Sequence, residues 1–78
     1  MNRQIRVYIS DDCSECEQLI EFLEGSKVAY QLKNVSEEKE NLKELHKENM
    51  YLTPAVIING NYRILGFQKN KIAQLLGI

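Results

Sequence analysis

Two rhythms of apolar residues run through this chain and divide it into elements. Ile5, Val7 and Ile9 alternate with Arg6 and Tyr8, the period of a half-buried strand. Residues 4–9 are therefore expected to form a first strand, with Ser10-Asp11-Asp12 as the turn out of it. The period then changes. Cys16, Leu19, Ile20 and Leu23 share one face at helical spacing. A first helix is expected from Cys13 or Ser14 to Glu24. Ser14 with Glu17, or Asp12 with Glu15, would form its capping box. Gly25 is expected to end it as a left-handed cap.

Residues 28–35 read as a second strand, with Val28, Tyr30 and Leu32 on one face. Ser36 is expected to cap a second helix, with Glu37 and Glu38 favouring its dipole. Leu42, Leu45 and Asn49 share one side of that helix, so its apolar stripe is thin. Pro54, the one proline of the chain, stands before the run Ala55-Val56-Ile57-Ile58. A proline at the start of a strand removes no ladder hydrogen bond. Asn59-Gly60 is a strong hairpin signal and leads into a fourth strand, Tyr62-Arg63-Ile64-Leu65. Gly66 breaks that strand. Gln68 to Leu76 reads as a third helix, with Ile72, Leu75 and Leu76 facing inward and Gly77 as its stop.

The predicted order is βαβ-α-ββα. The first two strands, joined by a helix, form a right-handed parallel unit. The last two form an antiparallel hairpin. The fold class is therefore α/β, a four-stranded mixed sheet flanked by three helices on both faces.

Size and composition narrow the picture. The 78 residues make one domain, residues 1–78. A chain of this size buries only about 60–65% of the surface that its unfolded form exposes. No apolar run approaches the roughly 18 residues that a membrane span requires. Met1-Asn2-Arg3-Gln4 runs directly into a strand and does not read as a secretory leader, so a cytoplasmic location is expected. A net charge of −1 gives no electrostatic footprint for nucleic acid.

Chemistry concentrates in Cys13-Ser14-Glu15-Cys16, which holds both cysteines of the chain. A Cys-x-x-Cys pair is a redox couple or half of a metal site. Its loop is too small to staple a fold, so it reads as chemical. It lies where a strand hands over to a helix, whose free N–H groups and partial positive charge stabilise a thiolate. Cys13, at the helix start, is the expected nucleophile. Cys16, one turn deeper on the apolar stripe, is the expected resolving thiol. Residues three apart on a helix hold their Cβ atoms about 5–6 Å apart, whereas a disulfide wants roughly 3.5–4.5 Å. Closure therefore requires Cys13 to leave helical geometry. A tetrahedral metal or iron–sulfur site needs four ligands. One chain offers two cysteines and His46, so that alternative requires a dimer sharing Cys13 or external thiols.

The surroundings of the pair are acidic. Asp11, Asp12, Glu15, Glu17 and Glu21 flank it, with no Lys or Arg between Val7 and Ser26. Each carboxylate at about 10 Å in water works against a thiolate by roughly 0.4 kcal/mol. Together they offset much of the helix-end effect, about 0.3–1 kcal/mol. A mildly acidified thiol follows, which suits a reductant of protein disulfides better than an oxidant.

This element order, a Cys-x-x-Cys opening the first helix, Thr53-Pro54 before the third strand, the Ile58-Asn59-Gly60 turn and Gly66-Phe67 before the last helix together resemble the glutaredoxin branch of the thioredoxin fold. The likeness covers Ile5 to Leu76. Within that branch, Asp12 before Cys13 and the C-terminal Leu65-Gly66-Phe67 with Leu75-Leu76-Gly77-Ile78 are similar to the small bacterial NrdH-redoxin and YruB-like proteins. The resemblance implies a dithiol thiol–disulfide oxidoreductase that reduces protein disulfides through a redox-active Cys13–Cys16 disulfide, as a monomer with no bound cofactor. It also implies a cis Thr53-Pro54 peptide, with the Thr53 backbone pairing with the substrate, and a partner contact at Gly66 and Phe67. A thioredoxin-reductase-like flavoenzyme or a low-molecular-weight thiol would be the reductant.

Departures from the glutathione-using members are specific. Ser14-Glu15 stands where they carry Pro-Tyr, and Ser10 where they carry a basic residue. Leu65, Gly66, Phe67 and Gln68 replace their Gly-Gly-x-Asp. These changes argue against glutathione binding, so a glutathione-dependent glutaredoxin is the lesser alternative. Tyr8 and Tyr51 are candidates to border the thiol, with core packing as the other reading. Lys69 and Lys71 read as a solvated face, and His46 as a surface residue.

Overall fold

The fold follows from one strand, β3 (Ala55–Ile58), whose four residues are all buried. A short strand that is apolar on both faces needs cover on both faces. Its even and odd positions seed two separate cores. The computed structural model describes residues 4–78. Met1, Asn2 and Arg3, read from sequence as the lead into the first strand, lie outside the described residues.

The sheet has the order β2-β1-β3-β4. β1 (Ile5–Ile9) pairs in parallel with β2 (Gln31–Asn34), Val7 opposite Leu32. On its other side β1 runs antiparallel to β3, Tyr8 opposite Ala55. β4 (Tyr62–Leu65) returns antiparallel to β3, Ala55 opposite Leu65. Three helices complete the fold: α1 (Ser14–Gly25), α2 (Lys39–Lys47) and α3 (Lys69–Leu76). The expected order and mixed sheet are therefore present.

One core lies beneath α1 and α3. Ile5, Val7, Val56, Ile58 and Ile64 of the sheet meet Leu19, Leu23, Ile72 and Leu76 there, with Leu75 packed at the edge. The opposite face is smaller. Tyr8, Ala55 and Ile57 meet Leu45 and Met50 on the α2 side. Alternation along β1 sends Ile5 and Val7 one way and Tyr8 the other, as the pleat requires.

Several boundaries differ from the sequence reading. α1 is capped by Cys13 itself, whose extended backbone (φ −122°, ψ 101°) replaces both expected capping boxes. Gly25 is still helical. The left-handed residue is Lys27 (φ 56°), two positions on, because Ser26 caps the helix in right-handed geometry. The second strand covers only Gln31–Asn34, and Leu32, on this edge strand of the sheet, is half exposed. Val28 and Tyr30 pack against the core from the loop before it. Ser36 does not cap α2. The Asn34 side chain accepts the N–H groups of Ser36 and Glu37 and forms a turn, so the helix begins three residues later with Glu38 as its cap residue. A short Asn side chain competes with helix start in this way. Leu42 is left exposed, and Asn49 (φ 61°) ends α2 instead of lining it. α3 starts at Lys69, with Gln68 at its cap.

The thin stripe of α2 is supplemented by charge. Glu44 and Glu48, one turn apart, face the sheet. Glu44 accepts from the Tyr8 hydroxyl at 2.9 Å and from Lys33 Nζ at 3.2 Å, and the same ammonium lies 3.1 Å from its other oxygen. Arg6 donates to the Tyr8 hydroxyl at 3.0 Å and lies 3.7 Å from Glu48. Arg63 grips Glu48 at 2.7 and 3.0 Å. Burial, then the bond to Glu44, pushes the Tyr8 phenol up to about 12. Partial burial pushes the Glu44 carboxyl up. The hydrogen bonds from Tyr8 and Lys33, with the charges of Lys33 and Arg6, outweigh it and hold that carboxyl below its ordinary value.

Because that carboxyl is easier to ionise folded than unfolded, its contribution is present above the ordinary carboxylate pKa and disappears as pH falls through the lowered one. Glu44 is partly exposed, so solvent reduces the effect. Glu44→Gln should cost about 0.5–1 kcal/mol in urea unfolding at pH 7, and the difference from wild type should close below about pH 4. An equal difference at pH 3 and pH 7 would show that the ion pairs contribute nothing.

Candidate active site

β1 ends at Ile9, and the next four residues aim the chain at the redox pair. Ser10-Asp11-Asp12 turns sharply, with Asp12 in the left-handed region (φ 54°) that Asp tolerates better than most residues. Two ties hold this turn to the end of β2 and the segment after it. The Asp11 N–H donates to Ser36 Oγ at 3.0 Å, and Asn34 Nδ2 donates to Asp11 Oδ1 at 3.3 Å. The chain then enters α1 at Cys13.

Cys13 and Cys16 are joined as a disulfide, with Cα atoms 5.2 Å apart. The bond closes because Cys13 stands outside the helix in extended geometry while Cys16 stands inside it. Cys13 Sγ accepts the Cys16 N–H at 3.1 Å. A residue in this position uses its side chain to satisfy one of the free N–H groups at a helix start. Here the acceptor is sulfur, so the interaction that caps the helix is also one that would favour a thiolate. Cys13 is half-buried. Cys16 is 2% exposed and sits among the buried residues of α1.

Two further loops converge on the same end of the sheet. The Thr53-Pro54 peptide is cis and leads into β3, as the resemblance implied. Pro54 is buried, and Thr53 is half-buried. Gly66 and Phe67 connect β4 to α3, and Gly66 takes φ 77°, which favours a residue without a side chain. Register fixes this convergence: Tyr8, Ala55 and Leu65 are paired neighbours, so the segments beyond them emerge together.

Three hydrogen bonds lace these segments. The Ser10 and Thr53 hydroxyls lie 2.6 Å apart. The Gly66 N–H donates to the Pro54 carbonyl at 2.8 Å. The Phe67 N–H donates to Glu15 Oε1 at 3.2 Å. The chain is thus linked from the start of the Cys-x-x-Cys loop, through the cis-proline loop and the β4–α3 loop, back to a residue between the two cysteines. All six sequence-selected residues, Cys13, Cys16, Thr53, Pro54, Gly66 and Phe67, lie in or beside this circuit.

Ser10 and Glu15 are the members that sequence reasoning missed as contacts. Ser10 stood out as a departure from a basic residue, and Glu15 as one of several acids. Their partners lie 43 and 52 positions away, beyond any local pattern. The ambiguous residues also resolve. Tyr8 is core, not a neighbour of the thiol. Phe67 packs its ring against the main core, 6.0 Å from the Phe22 ring, while its backbone N–H faces Glu15. Tyr51 and Leu52, just before Thr53, are each 66% exposed. His46 is exposed with its ring 5.0 Å from that of Tyr51. Among the described residues, no group of three or more His, Cys, Asp or Glu could hold a metal ion. No helix of the described residues is long and apolar enough to cross a membrane.

A buried sulfur one turn below an accessible one, at the first turn of a helix following a central strand, defines a thioredoxin-fold redox protein. A family model for a thioredoxin domain matches residues 3–77, so the chain belongs to that family. The thioredoxin-like protein BC3987 is similar in structure at TM-score 0.84 and 36% identity, over 91% of this chain and 97% of that one. A mutant form of BC3987 gives TM-score 0.85 and 37% identity, over 92% and 97%. The glutaredoxin-like NrdH-redoxin from Escherichia coli, described as having a thioredoxin-like activity profile, matches at TM-score 0.79 and 25% identity, over 92% and 93%. No curated protein matches the chain. The glutaredoxin-like placement is therefore correct, and the family with its Cys13–Cys16 pair makes the chain a thiol–disulfide oxidoreductase in the general sense.

The difference in access between the two sulfurs is measurable. In the reduced protein, limiting iodoacetamide should label Cys13 at least about tenfold faster than Cys16 by peptide mass mapping, since reactivity follows exposure and thiolate character. Equal labelling of both would contradict the geometry.

Proposed function

We propose that this chain is an electron donor that reduces disulfides in other proteins. The Cys13 thiolate attacks a substrate disulfide and forms a mixed disulfide, releasing one substrate thiol. Cys16 then attacks Cys13 Sγ, releases the second thiol and leaves the Cys13–Cys16 disulfide. Two electrons pass to the substrate, and two protons end on its thiols. The observation that carries this reading is the asymmetry of the pair: Cys13 at the helix cap with Sγ accepting an N–H, Cys16 buried beneath it.

The neighbouring segments support a protein as substrate. Thr53, beside the cis-proline, would offer its backbone to an extended segment of the partner. Tyr51 and Leu52, both exposed, would meet that partner's side chains. Gly66 and Phe67 would border the same contact. The likeness to a redoxin with a thioredoxin-like activity profile favours a flavoenzyme of the thioredoxin-reductase class as reductant over glutathione. The reading places the chain in the cytoplasm as a monomer. Acidic residues around Cys13 would also disfavour a tripeptide with two carboxylates.

Insulin-disulfide reduction tests this. The protein should turn over with NADPH and thioredoxin reductase, and at least about tenfold more slowly with glutathione and glutathione reductase. Cys13→Ser should abolish turnover. Cys16→Ser should stop after the first step and accumulate the mixed disulfide. Absence of turnover with either reductant would remove the reading.

A further inference from the structure

Glu15 lies between the two cysteines, yet its side chain reaches the opposite side of the site. Its Oε1 accepts the Phe67 N–H at 3.2 Å across a sequence separation of 52. That bond has two consequences. It fixes an otherwise mobile exposed carboxylate between the first turn of α1 and the loop ahead of α3. It also occupies the Phe67 backbone donor. Gly66 fits the arrangement. A Cβ there would make ordinary contact with the same Glu15 oxygen at 3.7 Å, so the left-handed Gly66 backbone, which leads directly into Phe67, is what favours glycine.

The charge is not balanced nearby on α1. Asp11, Asp12 and Glu17 are exposed acids of the same stretch, and no basic residue lies between Val7 and Ser26. On α3, the Lys69 ammonium lies over the Phe22 ring, 5.7 Å from its centroid. A disulfide whose flanking group is a carboxylate therefore meets a like charge held in place, and a donor already taken.

We propose that Glu15 is a specificity-determining residue: through its bond to the Phe67 N–H it discriminates against disulfides with anionic flanking groups and favours neutral or cationic ones. This inference rests on the exchange reaction proposed above. It concerns choice of substrate, not the chemical step, and assigns Glu15 no proton or electron.

Stoichiometric reduction of three small disulfides by pre-reduced protein tests it: cystamine (cationic), hydroxyethyl disulfide (neutral) and dithiodipropionate (anionic). The protein supplies both electrons and ends as the Cys13–Cys16 disulfide, so no second reductant is present. Wild type should react in the order cationic, neutral, anionic. Two unit charges about 8 Å apart near water change a rate by about two- to fivefold. Glu15→Gln should therefore reduce the neutral-to-anionic rate ratio by about two- to fivefold, and added salt should shrink the wild-type ratio towards that of the variant. Glu17→Gln, which removes an equal charge that makes no such bond, should move the ratio less. Glu15→Ala, which removes charge and hydrogen bond together, should lower the ratio at least as far. An unchanged ratio in Glu15→Gln, or an equal change in Glu17→Gln, would overturn the proposal. Failure of reduced wild type to react even with the neutral disulfide would instead overturn the exchange reaction itself.

Discussion

A helix must begin somewhere, and its first N–H groups must be satisfied there. In this protein the group that answers that requirement at α1 is the Cys13 sulfur. Much else depends on this. A sulfur that caps a helix stands outside it, so it keeps solvent access and can swing toward a partner one turn below. The same N–H that satisfies local structure is aimed at the atom that would carry negative charge after reduction. Stability of the helix start and reactivity of the thiol are one interaction. The cost is that Ser14 and Asp12, better cap formers by chemistry, are displaced from that role.

The rest of the fold holds this junction in position. β1 is the second strand of four and is paired on both sides, so its end is fixed by two neighbours. The doubly buried β3 brings the cis-proline loop beside it, and β4 brings Gly66 and Phe67. Three hydrogen bonds tie the turn after β1 to the cis-proline loop, that loop to the β4–α3 loop, and the β4–α3 loop to the first turn of α1. Loops positioned by a rigid scaffold commonly carry function. Here the scaffold is small, and its second face depends partly on charge. Leu45 and Met50 supply apolar cover for Tyr8 and Ile57, while the Glu44 and Glu48 ion pairs attach the C-terminal end of α2.

The sequence was informative where one physical cause dominates. The order of elements followed from periodicity. The hairpin followed from Asn59-Gly60, whose φ values of 54° and 73° are those such a turn demands. The redox pair followed from its spacing together with its place where a strand hands over to a helix, and closure through an extended Cys13 followed from helix geometry. It was less informative where two local options compete. Asn34 took the N–H groups that would have let Ser36 start α2, and Ser26 delayed the left-handed turn from Gly25 to Lys27. The cis bond at Pro54 was legible only through resemblance. The contacts of Ser10 and Glu15 were not legible, because each depends on a partner placed by the whole fold.

The outer strands carry a further consequence. β2 and β4 are the open borders of the sheet, each four residues long. An open border can recruit a strand from another molecule, and short length with charged side chains is the usual protection. Lys33 lies on one border and Arg63 on the other, anchored to Glu44 of α2 and to Glu48 at its C-terminal cap. The side chains that hold the helix in place therefore also interrupt each rim with a charged pair, so neither border is an unbroken apolar row.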